Sequence, residues 1–378
     1  MKIVSVVGAR PNLMKIAPIM EEMHRLPDIE PVLIHTGQHY DDNMSEVFFQ
    51  ELGIPQPDYN LEVGSGSHTW QTAQVMLALE PLLIDLRPDA VVVVGDVNST
   101  AAAALVAAKL DIPLAHVEAG LRSFDHTMPE EINRIVTDAL ADYLFTTERS
   151  ANENLGREGI PDHKIFFVGN VMIDTLLRHR LRAEALGMPA QHGVSANGYA
   201  LLTLHRPSNV DLPEVLNGIL DALDSLQTRL PVLFPAHPRT LQRLAGAGLL
   251  ERARAMPNLR LLKPLGYVEF LGLMAQARLV LTDSGGIQEE TTILGIPCLT
   301  LRENTERPVT ISEGTNELVG TSPDRILAAA WRRLDQLQGI HESPSGLMSR
   351  DGRRPELWDG RAAERIVRVL REKCGRQP

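Results

Sequence analysis

Short aliphatic runs alternate with helix-spaced hydrophobic stretches through the first half of the chain. Each run has the length of a buried strand, and each following stretch places its apolar side chains on one helical face. The first helix carries Leu13, Ile16, Ile19 and Met20 on one face, and Pro18 predicts a kink or the true helix start. The predicted strands are 2–7, 32–36, 90–94, 114–117, 143–146 and 165–168, and the later helices are 69–86, 101–110, 130–141 and 151–159.

The same alternation restarts after residues 184–198, whose Ala, Gly, Pro and His content is typical of a linker or variable loop. The second half is predicted to contain strands 199–204, 232–235, 259–262 and 279–282, with helices 212–229, 268–277, 324–338 and 361–373. Strands that alternate with helices indicate parallel, doubly wound sheets. We therefore predict an α/β protein with two Rossmann-like domains, 1–172 and 173–378, facing a cleft.

The stretch from Leu279 to Glu290 combines a strand, a Ser284-Gly285-Gly286 turn and the start of a helix. A helix that starts there has unpaired N–H groups and a positive dipole end, and both favour an anion such as phosphate. Glu290, further along this helix, would accept hydrogen bonds from sugar hydroxyls. The alternative is an ordinary strand-to-helix turn that Asp283 or Ser284 caps.

Composition narrows the class of ligand. A length of 378 residues and 44% hydrophobic content fit two well-filled cores, and a formal net charge of −11 argues against nucleic-acid or anionic-membrane binding. The two cysteines, Cys298 and Cys374, suit a reducing cytoplasm, and we expect neither a signal peptide nor a membrane span. The sequence lacks the G-x-G-x-x-G fingerprint after the first strand, a P-loop, a nucleophile elbow and a metal-ligand cluster.

Ligands of open α/β sheets bind beyond the carboxyl ends of the strands, and this sequence places two kinds of polar residue there. The first domain offers Arg10, Asp96, Glu118, Glu130 and Glu131, and the second offers His205, Arg206, His237, 284–286 and 302–307. Carboxylates therefore predominate in one domain, and histidines, arginines and the phosphate-type turn in the other. This division suits a ligand with a sugar at one end and a diphosphate at the other, bound between the domains.

Each candidate also has a structural interpretation when it is taken alone. Asp96, Glu130 and Glu131 could each be an ordinary residue of a helix start, and Arg10 could lie in a solvated turn. Glu118 could form a purely structural ion pair with Arg122. His205 could be a core histidine, and His237 could be a turn residue. Taken together, however, they would bury several costly polar groups at one sheet edge without a function.

A series of motifs runs in order over most of the chain. They are Gly8-Ala9-Arg10-Pro11 with Lys15, Gly95-Asp96, His116 to Arg122, Pro129 to Arg134, Gly169-Asn170, His205-Arg206, Thr282 to Glu290, and Thr305-Glu306-Arg307-Pro308. Together they resemble the non-hydrolysing UDP-N-acetylglucosamine 2-epimerases. The resemblance implies the two-domain architecture shared with the GT-B class of glycosyltransferases, a homodimer, and interconversion of UDP-GlcNAc and UDP-ManNAc without nicotinamide or metal. It also implies that the last helix, 361–373, packs back on the N-terminal domain.

The implied chemistry explains the residue types. The C2 proton of a sugar becomes acidic only when UDP departs and C1 turns oxocarbenium-like, so the family eliminates UDP and adds it back after protonation of the other face. Such a reaction needs a base, an acid and stabilisation of the leaving diphosphate. Carried over by motif, the catalytic residues are Asp96, Glu118, Glu130 and His205. The implied substrate-binding residues are Arg10, Lys15, His237, Ser284, Gly285, Gly286, Glu290 and Arg307.

Three segments depart from the family pattern. His205-Arg206 continues as Pro207-Ser208-Asn209, and the tail motif is replaced by Glu356 to Gly360. In Gln38 to Glu46, the segment tied to activation by UDP-GlcNAc, Met44 is displaced and a second Gln is absent. We therefore predict weak or absent substrate activation, and a modified UDP-hexosamine or another nucleotide sugar is an alternative substrate. A GT-B glycosyltransferase, a hydrolysing epimerase and a catalytically silent nucleotide-sugar sensor are the competing functions.

Overall fold

A computed structural model describes residues 1–37, 51–338 and 354–375. Within these ranges, seven parallel strands form one sheet in the order β3-β2-β1-β4-β5-β6-β7. They are β1 (Lys2–Val7), β2 (Glu30–His35), β3 (Tyr59–Asn60), β4 (Ala90–Val94), β5 (Leu114–Ala119), β6 (Tyr143–Thr146) and β7 (Ile165–Phe167). All of β4 is buried, as expected for a central parallel strand with helices on both faces.

The helices of this half are α1 (Arg10–His24), α2 (His68–Leu86), α3 (Asn98–Lys109), α4 (Pro129–Leu140), α5 (Arg149–Arg157) and α6 (Val171–Ala185). The predicted apolar face of α1, including Leu13, Ile16 and Met20, is fully buried. Pro18 lies inside α1, which begins at Arg10, so the prediction of a later helix start is wrong. Pro11 has no backbone N–H, and the N–H groups of the first turn have no acceptors within the helix, so α1 can begin at Arg10 with Pro11 as its second residue.

A second parallel sheet has six strands in the order β10-β9-β8-β11-β12-β13. They are β8 (Ala200–Thr203), β9 (Val232–Pro235), β10 (Leu259–Leu262), β11 (Leu279–Thr282), β12 (Cys298–Thr300) and β13 (Asn316–Leu318). The helices are α7 (Met188–Gln191), α8 (Pro207–Val210), α9 (Pro213–Leu226), α10 (Pro238–Gly246), α11 (Leu250–Ala255), α12 (Tyr267–Met274), α13 (Gly285–Leu294), α14 (Val309–Ser312) and α15 (Pro323–Gln338). The predicted α/β class with two doubly wound sheets is confirmed.

Both sheets reverse their strand order beside the first strand, at β1 and β4 in one and at β8 and β11 in the other. Such switch points open a crevice at the carboxyl ends of the strands. Gly8 to Arg10 and Gly95-Asp96 follow the first pair of strands, and His205 and Ser284 follow the second pair. Arg10 and Asp96 therefore lie at the switch point of the first sheet, and His205 and Ser284 lie at that of the second.

Two sequence interpretations need correction. Residues 184–198 were expected to form a linker or variable loop, but they include the end of α6 and all of α7. Strand β5 was expected to span 114–117 with Glu118 at its end, but it continues to Ala119 through a register irregularity between Val117 and Ala119. Glu118 is thus a residue of the strand itself, at a bulge.

The contacts divide the chain into a first unit, Met1–Leu177 with Glu356–Pro378, and a second unit, Arg178–Pro355. The division falls inside α6, whereas the sequence placed the domain boundary at the start of that helix. Among the described helices, none combines the length and the apolar character needed to span a bilayer.

The tail is anchored in the first unit. Its last helix, α16 (Ala362–Cys374), packs against α1, and Asp174 accepts hydrogen bonds from the N–H groups of Ala362 and Ala363 at 3.2 and 2.9 Å. Trp358 is 1% exposed and donates from Nε1 to the carbonyl of Thr147 at 2.8 Å. The tail segment that departs from the family motif therefore attaches the chain end to the first sheet.

Candidate active site

Lys15 and Glu118 form a buried ion pair at the switch point of the first sheet. Lys15 comes from α1 and Glu118 from β5, and only 6% and 5% of their surfaces are exposed. Gly95, after β4, borders this pair: a Cβ there would lie 2.8 Å from Nζ of Lys15 and 3.3 Å from Oε2 of Glu118. The candidate ion pair with Arg122 does not form, because Arg122 pairs with Asp138 and Glu158.

Glu118 has an unusual backbone conformation. Its φ of +73° lies in the left-handed region, which costs a non-glycine residue roughly 1–2 kcal/mol. Strain of this kind persists where the surrounding structure fixes it, and it is concentrated at functional sites. The bulge in β5 thus aims one particular carboxylate at Lys15.

Asp96 lies beside Gly95 and pairs with a buried arginine. Nη1 of Arg134, on α4, is 2.5 Å from Oδ2 of Asp96, whose side chain is 27% exposed. The loop that carries Asp96 is also held by Asn133, which donates to the Asp96 carbonyl at 2.9 Å. Asp96 therefore has an ionic partner and remains accessible.

Glu130 and Glu131 have different surroundings at the start of α4. Glu131 is 1% exposed and accepts hydrogen bonds from the backbone of Ser123 and Phe124 and from Arg134. Burial opposes ionisation, but these donors outweigh it and hold the pKa of Glu131 below its ordinary value. Glu130 is half-buried and makes no hydrogen bond or ion pair within the described ranges. Glu131 therefore holds the loop before α4, and Glu130 is available for chemistry.

Arg10 occupies the first position of α1, directly after the turn that follows β1. Its backbone is thus at the switch point of the first sheet, as the strand-end rule predicted. The first unit therefore brings Lys15, Asp96 and Glu118 together at one sheet edge, with Arg10 and Glu130 at the starts of adjoining helices.

In the second unit, Asp283 organises the loop that carries His205. Asp283 is fully buried and accepts hydrogen bonds from the N–H groups of His205 and Arg206 at 3.0 and 2.9 Å. Its Oδ1 is also 2.8 Å from Nδ1 of His205. Although burial opposes ionisation, the His205 ring and these N–H groups hold the pKa of Asp283 below its ordinary value.

His205 is not a core histidine, since its side chain is 55% exposed. The bond to Asp283 orients the ring and leaves Nε2 for a ligand. Asn209 supports the same loop, because its amide is 3.2 Å from Asp283 and donates to the Leu301 carbonyl at 2.9 Å. Asn209, in the Pro207-Ser208-Asn209 segment that departs from the family pattern, thus helps to hold the loop that carries His205.

Helix α13 begins at Gly285, so Gly285 and Gly286, which were expected to form a turn with Ser284, belong to the first turn of the helix. Ser284 is its N-cap, but its hydroxyl does not cap the helix within the described ranges. Asp283, the other candidate cap, binds the His205 loop instead. The N–H groups of Gly285 and Gly286 therefore lie in the first turn, where a helix has no acceptors of its own and attracts anions.

Three arginines and two glutamates surround this helix start. Glu306 is 2.7 Å from Nη1 of Arg307, 2.9 Å from Arg302 and 3.6 Å from Arg206. Burial opposes ionisation of Glu306, but the three charges lower its pKa well below the ordinary value. Arg307 also binds Glu289 at 2.6 Å. The three guanidinium groups thus lie beside the first turn of α13, and guanidinium groups suit a diphosphate because they can donate two hydrogen bonds each to its oxygens.

Arg307 lies directly against Gly285. A Cβ at position 285 would come within 2.5 Å of Nη1 of Arg307 and 2.8 Å of Oε1 of Glu306. Only glycine therefore allows the guanidinium to approach the helix start so closely.

Glu290 is buried in the second turn of α13 and accepts a hydrogen bond from Tyr267 at 2.7 Å. Complete burial raises the pKa of Glu290 to about 7, with a further contribution from the charge of Glu289, although the Tyr267 hydroxyl opposes the shift. His237 differs from the other candidates, because it is exposed and caps α10 by accepting from Arg239 at 3.3 Å. Within the second unit, His237 therefore has the role of a turn residue that caps a helix.

Sequence reasoning missed the residues that hold the candidates in place. Asp138, Arg134, Tyr267 and Asn209 each contact a candidate or its loop, yet none stands at a strand end. Asp138 carried a usable signal, because it lies on the same motif-bearing helix as Glu130 and Arg134.

Comparison with known proteins identifies the family. Residues 21–371 match the family described as UDP-N-acetylglucosamine 2-epimerase. The chain belongs to this family. A UDP-N-acetylglucosamine 2-epimerase of Methanocaldococcus jannaschii is 42% identical over 98% of this chain and 99% of its own. Its crystal structure in complex with UDP-GlcNAc and UDP superposes with a TM-score of 0.88 over 98% of this chain and 100% of the other.

Two further proteins bear on specificity and fold. A UDP-2,3-diacetamido-2,3-dideoxy-D-glucuronate 2-epimerase of Pseudomonas aeruginosa is also 42% identical, over 87% of this chain and 91% of its own. A sucrose-phosphate synthase of Thermosynechococcus elongatus shares the fold at 12% identity, with a TM-score of 0.62 over 99% of this chain and 96% of the other. The predicted family and fold class are therefore confirmed, and the chain is related to isomerases that act on nucleotide sugars.

Proposed function

We propose that the protein is a non-hydrolysing 2-epimerase that interconverts UDP-N-acetylglucosamine and UDP-N-acetylmannosamine. The observation that carries this proposal is the buried Lys15–Glu118 pair, in which Glu118 is held in a left-handed backbone conformation. An ion pair at such a strained position has no evident value for stability alone. A role in proton transfer would explain why this carboxylate is held in a strained conformation beside Lys15.

The proposed reaction proceeds by elimination and addition. A base removes the proton from C2 as the bond between C1 and the diphosphate oxygen breaks, so that a C1–C2 double bond forms and UDP leaves. A proton then arrives at C2 from the opposite face, and the diphosphate oxygen adds back to C1. Atoms and electrons balance without an external oxidant, reductant or metal.

The residue roles are part of the proposal. Asp96, Glu118 and Glu130 supply the acid and base, with Lys15 beside Glu118 and His205 presenting Nε2 for a further proton transfer. The helix start at Ser284, Gly285 and Gly286, together with Arg10 and Arg307, stabilises the leaving diphosphate. Glu290 binds the ribose, and His237, which is exposed where it caps α10, is a further substrate-binding residue.

NMR of the purified protein with UDP-GlcNAc in deuterium oxide tests the function. We expect UDP-ManNAc to appear and deuterium to enter C2 of both sugars, because the C2–H bond is broken in each turnover. A glycosyltransferase or a silent sensor leaves that bond intact. Free ManNAc with UDP as the products identifies a hydrolysing enzyme and contradicts the proposal.

A modified UDP-hexosamine is the second candidate substrate. The Pseudomonas aeruginosa relative, named for a diacetamido-glucuronate nucleotide, is as similar in identity as the Methanocaldococcus jannaschii protein. The same NMR experiment with each nucleotide sugar in turn decides between them by the rate of deuterium entry at C2. The predicted weak substrate activation is measured in the same assay with UDP-ManNAc alone; its segment, 38–46, lies outside the described residues.

We also propose a homodimer that forms through α2. This helix exposes an apolar stripe at heptad-like spacing, with Trp70 45%, Leu77 67% and Ile84 52% exposed. A contiguous stripe of this kind marks an association surface. Leu77→Glu should shift the mass measured by light scattering from dimer to monomer, whereas Leu181→Glu, at a single exposed leucine on α6, should not. A reducing cytoplasm remains a prediction, which the free thiols of Cys298 and Cys374 support.

A further inference from the structure

Asp138, on α4, contacts the chain on both sides of Glu118. Its Oδ1 is 2.6 Å from Nδ1 of His116, and its Oδ2 accepts from the N–H of Gly120 at 3.0 Å. Oδ2 is also 2.7 Å from Nη1 of Arg122. Because His116 and Gly120 flank Glu118 at equal distance along the chain, one carboxylate fixes both ends of the bulge.

His116 extends this constraint to the neighbouring strand. Its Nε2 is 2.8 Å from the carbonyl oxygen of Gly95, while Nδ1 faces Asp138. A carboxylate oxygen and a carbonyl oxygen therefore lie within hydrogen-bond distance of the two ring nitrogens, and the ring bridges α4 and the loop after β4. Burial favours the neutral acid, but the charges of His116 and Arg122 outweigh it, and the pKa of Asp138 lies below its ordinary value. His116 and Asp138 are both fully buried, so no water competes for this contact.

The two segments that His116 joins carry the reacting carboxylates. Glu118 follows His116 on β5, and Asp96 follows Gly95 after β4. The distance from a Cβ at Gly95 to Oε2 of Glu118 would be only 3.3 Å, so a small movement of either segment changes the surroundings of Glu118. A displacement of about 1 Å at a reacting group lowers a rate by about 10²-fold.

We propose that Asp138 and His116 are positioning residues, which hold Glu118 in its left-handed conformation at a fixed distance from Asp96. This inference rests on the proposed epimerase function. Neither residue touches the sugar. They act by fixing the backbone on which two reacting carboxylates stand.

Asp138→Asn tests the proposal, because Asn keeps the shape but loses one acceptor and the negative charge that pairs with Arg122. We expect kcat for C2–H exchange to fall by about 10²-fold, with KM and the Kd for UDP within about twofold of the wild-type values. Asp142→Asn is the matched control. Asp142 accepts from the N–H of Leu114 at 3.1 Å, at the opposite end of β5, so its loss perturbs the same strand away from Glu118. This control should keep kcat.

His116→Gln is the second variant, and it serves if Asp138→Asn does not fold. Its amide reaches towards Gly95 as Nε2 does, but loses the bond to Asp138, so kcat should fall by about tenfold with KM unchanged. The proposal is overturned if either folded variant keeps kcat within twofold, or if kcat and UDP binding fall together. If the wild-type protein exchanges no C2 hydrogen, the proposed epimerase function is wrong. If wild type and both variants exchange it at the same rate, the function stands and only the positioning role is wrong.

Discussion

Glu130 and Glu131 are chain neighbours at the start of α4, yet only one is engaged by the protein. Glu131 fixes the preceding loop through Ser123 and Phe124 and pairs with buried Arg134, whereas Glu130 makes no such contact within the described ranges. The sequence Pro-Glu-Glu does not distinguish the two, because either residue is a normal helix start. The difference depends on which residue faces α4's neighbours, and it decides what each substitution does.

Glu130→Gln should therefore remove activity without affecting stability. We expect C2–H exchange to fall by about 10²–10⁴-fold, as for loss of a general acid or base. The free energy of unfolding should stay within about 0.5 kcal/mol of wild type. Glu131→Gln, the adjacent control, should lose about 3 kcal/mol, because it leaves the Arg134 guanidinium buried with less compensation. Urea unfolding and the exchange assay check both variants; a destabilised Glu130→Gln contradicts the assignment.

From the buried carboxyl group of Glu290 we predict that binding of the nucleotide releases a proton. Burial raises its pKa to about 7, so the free protein holds a proton there in part at neutral pH. Ribose hydroxyls donate to a carboxylate, which lowers that pKa on binding, so affinity should increase as the pH rises through about 7. Calorimetry with UDP-GlcNAc in two buffers of different ionisation enthalpy should detect the released proton. Glu290→Gln should bind more weakly and lose this component; an unchanged proton count contradicts the role.

At the scale of elements, the strand-end rule located the candidates but not their supports. Strand β11, the turn at Ser284 and helix α13 occur where the sequence indicates, because a buried aliphatic run, glycines and a helical stretch are local signals. The bulge at Glu118 was missed, since it is imposed by Asp138 from another helix rather than by any local residue preference. Helices α10 and α11 were also missed, because their short amphipathic patterns are interrupted by Gly246 and Gly248.

The start of α13 makes a further prediction at this scale. Gly285→Ala would place a methyl group within 2.5 Å of Arg307 and so displace the guanidinium from the helix start. We expect affinity for UDP to fall at least about tenfold, equivalent to about 1.4 kcal/mol. Gly246→Ala, in α10, is the control, because a Cβ there meets nothing within 4 Å. Calorimetric Kd values compare the two, and equal affinities contradict the proposed diphosphate site.

At the scale of the whole chain, a buried carboxylate makes one of the contacts that attach α16 to the first unit. Burial raises the pKa of Asp174 to about 6, although the N–H groups of Ala363 and Ala362 partly oppose the shift. The sequence indicated a last helix in nearly the right place but gave no sign of Asp174, since the contact joins residues far apart in the chain. Local sequence patterns carry the least information about contacts between residues that are far apart in the chain.

This raised pKa predicts how stability depends on pH. Between the ordinary value of 3.8 and about 6, the folded protein binds more protons at Asp174 than the unfolded chain does, so its contribution to stability is lost as the pH rises through about 6. A shift of this size corresponds to roughly 3 kcal/mol. Asp174→Asn keeps an acceptor for α16 without a charge, so it should be more stable than wild type at pH 7.5 and lose that advantage at pH 4. Urea unfolding at both pH values measures this; parallel pH profiles contradict it.

The chain leaves the first unit within α6 and re-enters it at Glu356, and this order affects how the protein folds during synthesis. A ribosome releases the strands of the first sheet early, but the helix that packs against α1 is translated only after all of residues 178–355. Until then the nascent chain exposes the apolar surface that α16 will cover, including the side that receives Ile366 and Leu370. Completion of the first unit must therefore await synthesis of α16, and chains truncated before α16 should be substrates for chaperones and proteases.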